Sequence, residues 1–262
     1  MSTIIAIATQ KGGVGKTTTA GALAAGFKKK GFRVLAVDMD PQSNLSFSMK
    51  ADSENAATIY HVLKGEIRTQ FAIQHTPVTD IIPSNMLLSG IELEFTDKGR
   101  EFLLRDALAP VRELYDYILI DSPPGIGVLT VNALTTADSV IVPMLPDIFS
   151  LQGIAQLYET VENVRRRSNP RLSIAGILLV KYNPRTRIAR EVHGTVEMIS
   201  KNLGIPLFRS CIRTCIAMTE AQSLQHDMIE YAPNSTGVQD YLALLDEMME
   251  GGITVGEKQA RN

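Results

Sequence analysis

The chain has 262 residues, with 26 Lys and Arg against 28 Asp and Glu, a formal net charge of −2. At 45% hydrophobic and 21% charged it is a globular composition, which excludes a disordered chain, and the near-neutral balance excludes a polycation that binds anions by bulk charge alone. Two cysteines, Cys211 and Cys215, make no disulfide framework, and no run approaches the roughly 18–20 apolar residues of a membrane span. A reduced, cytoplasmic protein is expected, and the run from Ile4 to Ala8, with no basic residue before it, does not read as a targeting signal.

In chain order, short apolar runs alternate with helical patterns. Thr3–Thr9 reads as a strand, Lys16–Lys30 as a helix, Arg33–Asp38 as a strand and Val78–Ile82 as a weaker one. Arg100–Leu114 has a helical pattern, Tyr117–Asp121 and Ser139–Pro143 read as strands, and Leu151–Ser168 as a helix. Ser173–Lys181 is a further strand, followed by helices at Ala189–Leu203 and Val238–Glu250. Runs such as Val-Leu-Ala-Val and Tyr-Ile-Leu-Ile do not alternate, as expected of strands covered on both faces. The pattern predicts an α/β fold, a mostly parallel twisted sheet with helices on both faces, as one domain over residues 1–250. Residues 251–262 are Gly-rich and polar and read as a flexible tail.

The segment Gln10-Lys11-Gly12-Gly13-Val14-Gly15-Lys16-Thr17-Thr18 joins the first strand to the first helix. That is the setting of a phosphate-binding loop: glycines let backbone N–H groups turn around an anion, and the helix N-terminus adds partial positive charge. The fold expected is therefore the three-layer P-loop NTPase fold. Gly12, Gly13, Val14, Gly15, Lys16, Thr17 and Thr18 are the candidate ATP-binding residues, with Lys16 on the β- and γ-phosphates and the Thr17 hydroxyl on Mg²⁺. The second strand ends Asp38-Met39-Asp40-Pro41-Gln42, and a third ends Asp121-Ser122-Pro123-Pro124, which places three carboxylates at the carboxyl edge of the sheet.

The ordinary P-loop pattern has glycine where this chain has Gln10, followed by Lys11. The form K-G-G-x-G-K-T-T resembles the deviant Walker A motif of the ParA/MinD family of ATPases. The resemblance implies that Lys11 crosses a dimer interface to touch the partner's nucleotide. It implies that Asp40 orients the attacking water, that Asp38 supports the Mg²⁺ and water shell, and that Asp121 holds Mg²⁺ through a water. Pro146–Gly153 is similar to a family loop near the dimer interface, and Gly176–Thr186 to the strand and loop near the base. Asn183 is there a candidate adenine contact or a plain turn starter.

The resemblance runs from Ile4 to about Met248, and the chain starts directly with the first strand, as the short, Soj-like ParA branch does. A MinD-like membrane helix is not expected, since residues 251–262 offer only Ile253 and Val255 as large apolar groups. Cys211 and Cys215 read as reduced thiols rather than cluster ligands.

Charge is unevenly spread. Residues 160–213 carry eleven basic and three acidic residues. That stretch is either a solvated face or a surface for non-specific double-stranded DNA, with Arg185, Arg187, Arg190, Arg209 and Arg213 as candidate contacts. The family's usual Pro-Arg-x-x-Arg element is replaced by Arg213-Thr214-Cys215-Ile216-Ala217. The resemblance thus implies a partition ATPase that dimerises on ATP, binds the nucleoid and is stimulated by a ParB-like, centromere-bound partner. The alternatives are a nucleoid-based positioning ATPase for a protein cargo and a nucleotide-gated regulator with negligible turnover.

Overall fold

Eight strands form one sheet: β1 (Thr3–Ile7), β2 (Val34–Asp38), β3 (Gln74–His75), β4 (Asp80–Ile82), β5 (Tyr117–Asp121), β6 (Ser139–Met144), β7 (Ser173–Tyr182) and β8 (Ile212–Arg213). They come from a computed structural model, which describes residues 2–252. Across the sheet the order is β3-β4-β2-β5-β1-β6-β7-β8. All pairings are parallel except that of β3 with β4. The helices are α1 (Lys16–Lys29), α2 (Asn44–Ser48), α3 (Ile59–Leu63), α4 (Ile91–Glu94), α5 (Leu103–Leu108) and α6 (Val128–Thr136), then α7 (Ile148–Arg167), α8 (Arg187–Leu203), α9 (Ile216–Ser223), α10 (Met228–Tyr231) and α11 (Thr236–Glu250).

Successive strand residues feed two different cores. Ile4, Ala6, Leu35, Val37, Ile118 and Ile120 pack on one face with α5, α6, α7 and α8. Ile5, Ile7, Ala36, Tyr117 and Leu119 pack on the other with α1, α9 and α11. Both faces are buried, so the strand runs are apolar throughout. Each fully buried Ile or Leu contributes roughly 1.5–3 kcal/mol of burial. On the second face the Phe27 ring of α1 stacks on Tyr117, with centroids 3.9 Å apart.

The expected α/β class and the five clear strands are present, with ends shifted by a residue or two. The helix expected over Arg100–Leu114 is instead a short α5 between two 3₁₀ turns. Pro110 accounts for the break, because it lacks an N–H and its ring collides with the preceding turn. β3, β8 and the short helices α2, α3, α4, α9 and α10 were not anticipated, and neither was the nine-residue α6. No helix among the described residues is long and apolar enough to cross a membrane. Of the tail expected at 251–262, all but Gly251 and Gly252 lies outside the described residues.

Candidate active site

β1 lies near the centre of the sheet, and its carboxyl end runs into the loop that opens α1. Gly13 and Gly15 have φ of 71° and 76°, a left-handed backbone that residues with a Cβ rarely adopt. Gly15 stands at the N-cap of α1 and makes no side-chain cap, so the first N–H groups of the helix stay free for an anion. The loop is braced from below. Gly125 N donates to the Gln10 carbonyl at 2.9 Å, and the Ser122 hydroxyl donates to the Ile7 carbonyl at 2.8 Å.

The adjoining cleft has a volume of about 570 Å³. Gly12, Gly13, Gly15, Lys16, Thr17 and Thr18 line it together with Asp40. The Lys16 ammonium curls back to donate to the Lys11 carbonyl at 3.1 Å. Burial lowers its pKa, and the negative charges of Asp121 and Asp40 oppose that effect. Val14, expected among the ATP-binding residues, is buried in the loop.

The parallel register sets Asp38 of β2 directly beside Asp121 of β5, about 4.8 Å away by strand spacing. Both are fully buried. Burial, then the charge of Asp38, raises the Asp121 pKa well above the usual carboxylate value. Burial likewise pushes Asp38 up to about 6, although its hydrogen bonds from Ser46 pull the other way.

Their bonding separates the two. Asp38 Oδ2 accepts from Ser46 N at 2.9 Å and Ser46 Oγ at 2.7 Å, and its Oδ1 accepts from Asp40 N at 3.0 Å. Through these bonds Asp38 shapes the loop over residues 40–46. Among the described residues neither oxygen of Asp121 has a hydrogen-bond partner. A buried carboxylate left unsatisfied is costly, and Mg²⁺, a hard cation with oxygen ligands, suits it. Thr17 lies close enough to ease the ionisation of Asp121. The described residues hold no cluster of three or more metal-ligating side chains. The site fits a triphosphate with Mg²⁺.

Asp40 lines the cleft, its Oδ1 accepting from Gln42 N at 2.9 Å. Lys11 points elsewhere. Its ammonium donates to Asp147 Oδ1 at 3.2 Å and lies 5.3 Å from the centroid of the Phe149 ring. Asp147 is also the N-cap of α7, accepting from Ser150 N at 2.7 Å. Burial tends to raise the Asp147 pKa, but the Ser150 N–H and the Lys11 ammonium win and hold it below the usual value.

Asn183 does not line the cleft. Its Oδ1 accepts from Arg185 N at 3.1 Å, which is the turn reading of that residue. Three residues of α9, Thr219, Gln222 and Ser223, form a wall that the sequence did not reveal, and the Thr18 hydroxyl donates to Gln222 Oε1 at 3.3 Å. Their one sequence signal is the Thr-Glu-Ala segment at the place of the family's Glu-Ala pair.

The five arginines divide into two groups. Arg185, Arg187 and Arg190 stand at the start of α8. Among the described residues Arg187 pairs there only with Glu191, four residues on, and Arg190 donates to the Pro184 carbonyl. Arg209 and Arg213 are held by acids of α11: Arg213 is bidentate on Asp240, with contacts of 2.7 and 2.9 Å, and Arg209 pairs with Glu247 and Glu250.

A family described as an AAA domain matches residues 2–174. The chain is 39% identical over 251 residues to the chromosome partitioning protein ParA of Myxococcus xanthus, covering 94% of this chain and 88% of that one. It is 39% identical over 258 residues to the sporulation initiation inhibitor protein Soj of Bacillus subtilis, covering 96% and 100%. Among solved structures, a Mycobacterium smegmatis protein described as cobyrinic acid a,c-diamide synthase, with bound ATP analogue and magnesium, matches with a TM-score of 0.85 at 31% identity. That match covers 100% of this chain and 97% of the other.

Proposed function

The chain belongs to the ParA/Soj-type P-loop ATPases, and from that premise we propose that it is a partition ATPase whose Mg²⁺–ATP form is a dimer that binds DNA. It is an ATP hydrolase with ATP and Mg²⁺ as its ligands, a reading that the phosphate loop, Lys16 and the unsatisfied Asp121 support together. Loop N–H groups and Lys16 hold the phosphates in place before reaction, so little reorganisation remains at the transition state. Asp121 and Thr17 are the groups that would hold Mg²⁺, which supplies charge neutralisation to the phosphate oxygens when bound. Asp40, fixed by Gln42 N, orients the attacking water.

The observation that carries the dimer is Lys11. It lies off its own loop, on α7, beside the exposed side chains of Ile148 and Phe149. A cation of the phosphate loop beside an exposed apolar patch suits a second copy of the chain, in which Lys11 meets the partner's phosphates. Arg185, Arg187 and Arg190 are the DNA contacts, a ParB-like, centromere-bound protein is the activator, and the cytoplasmic nucleoid is the place of action.

DNA co-sedimentation with matched ATPase assays tests this. Wild type should pellet with DNA only with Mg²⁺–ATP, and Asp40→Ala should still pellet while losing turnover. Lys11→Ala should bind ATP but neither dimerise nor pellet. Near-zero hydrolysis in both wild type and Asp40→Ala would instead identify a nucleotide-gated regulator. No pelleting with ATP, or pelleting regardless of nucleotide, would overturn the DNA reading.

A further inference from the structure

In the sequence Lys181 is one basic residue among the eleven between 160 and 213. The structure removes it from that group. The register of β7 with β8 shifts between Val180 and Tyr182, and Lys181, at the shift, has a φ of 52°. That backbone is unfavourable for any residue with a Cβ, and strain of this kind persists where the surroundings enforce it for a purpose. A bulge beside a site re-aims a side chain. Here the ammonium is carried to the phosphate loop, where it donates to the Gly13 carbonyl at 3.2 Å. Lys181 lines the nucleotide cleft alongside Thr18, Thr219 and Gln222. Among the described residues the Gly13 carbonyl is the one hydrogen-bond partner of its ammonium.

The sheet order shows which end of a nucleotide Lys181 would meet. Asp38 and Asp121 are on β2 and β5, to one side of β1, whereas β7 is two strands away on the other. With neighbouring strands about 4.8 Å apart, Lys181 is displaced about 10 Å from β1, opposite the carboxylates. Asp121 and Asp40, which act on Lys16, mark the metal-binding, γ-phosphate end. Lys181 therefore faces the other end, beside the α9 wall.

We propose that Lys181 is a nucleotide-positioning residue: it braces Gly13 and holds the nucleoside end, the α-phosphate and ribose oxygens, of a bound adenine nucleotide. The inference rests on the ATP reading of the cleft. Because ATP and ADP share that end, Lys181 acts on both alike and on binding rather than on the chemical step.

The test is titration of Mg²⁺–ATP and Mg²⁺–ADP into wild type, Lys181→Met, Lys181→Gly and Lys181→Arg, with steady-state kinetics beside it. Lys181→Met should weaken both nucleotides about five- to tenfold, the loss of one charge-assisted hydrogen bond, and raise KM with kcat unchanged. Lys181→Arg should recover most of the affinity. Lys181→Gly suits the left-handed backbone, so it should match Lys181→Met in affinity without lowering the Tm of the nucleotide-free protein. Weakening of ATP alone, unchanged affinity for both, or a fall in kcat without a rise in KM would overturn the proposal. Wild type that bound neither nucleotide would overturn the ATP reading itself.

Discussion

Asp38 and Asp121 are the same residue type on neighbouring strands, both fully buried, yet one accepts three hydrogen bonds and the other, among the described residues, none. Burial first, offset by the Ser46 hydrogen bonds, puts the Asp38 pKa at about 6 against 3.8 for a free aspartate. The sign is the reverse of the usual carboxylate case. Between these values the folded protein keeps a proton that the unfolded chain has released, so the contribution of Asp38 to stability falls as pH rises through the window. Asp38→Asn removes the titration together with the charge that helps raise the Asp121 pKa, and both effects act in the same direction. Urea unfolding at pH 4 and pH 7, without nucleotide or Mg²⁺, should show wild type losing about 2 kcal/mol or more relative to Asp38→Asn over that interval. A pH-independent difference would refute the raised pKa.

Lys11 makes a second prediction at this scale. Its ion pair with Asp147 competes with any reach into a partner subunit. Asp147→Asn keeps a good N-cap for α7 and removes the charge. Partly exposed pairs contribute about 0.2–1 kcal/mol each and a dimer releases two of them, so the variant should dimerise with Mg²⁺–ATP at up to about 30-fold lower protein concentration, measured by analytical ultracentrifugation. Unchanged dimerisation would exclude Asp147 as a restraint. The loop, Lys16 and Asp121 were legible because each lies in a short local pattern next to a strand. Ser46, Asp147 and Lys181 were not, because their roles come from which strands are neighbours and from one left-handed residue.

At the level of elements, α1 carries the phosphate loop and is positioned by α11. Gly26 makes that contact close: a Cβ there would come within about 2.0 Å of Leu245 Cδ1, in a fully buried position. Alanine is about 1 kcal/mol better than glycine inside a helix, but overpacking a core costs about 1–3 kcal/mol. Gly26→Ala should therefore be net destabilising by up to about 2 kcal/mol, read as a lower urea midpoint at an unchanged m value. A stabilised variant would mean that α11 moves freely. The helix interiors of α1 and α11 could be read from spacing alone, but the demand for glycine at 26 could not, since it depends on a residue more than 200 positions away. The same limit applies to β3 and β8. Two residues each give no period, and only the strands beside them define them.

On the whole molecule, the net charge of −2 conceals a separation that the fold partly undoes. The acidic face of α11 takes Arg209 and Arg213 out of the basic surface, and the phosphate loop takes Lys181. What remains at the start of α8 is Arg185, Arg187 and Arg190, six cations in a dimer. Six neutralised phosphates give a log–log salt slope of about −5, a loss of roughly 10³-fold in DNA affinity between 50 and 200 mM salt. Replacing all three by alanine should flatten that slope and abolish ATP-dependent DNA binding, measured by fluorescence anisotropy over a salt series, with ATP binding retained. Arg213→Ala should behave differently. It leaves Asp240, whose side chain is only 13% exposed, without its bidentate partner, so it should lower the Tm and leave the salt slope unchanged. If Arg213→Ala flattens the slope and the α8 triple variant does not, the DNA surface lies along β8 and α11 instead. The acids of α11 would then have to release their arginines when DNA binds.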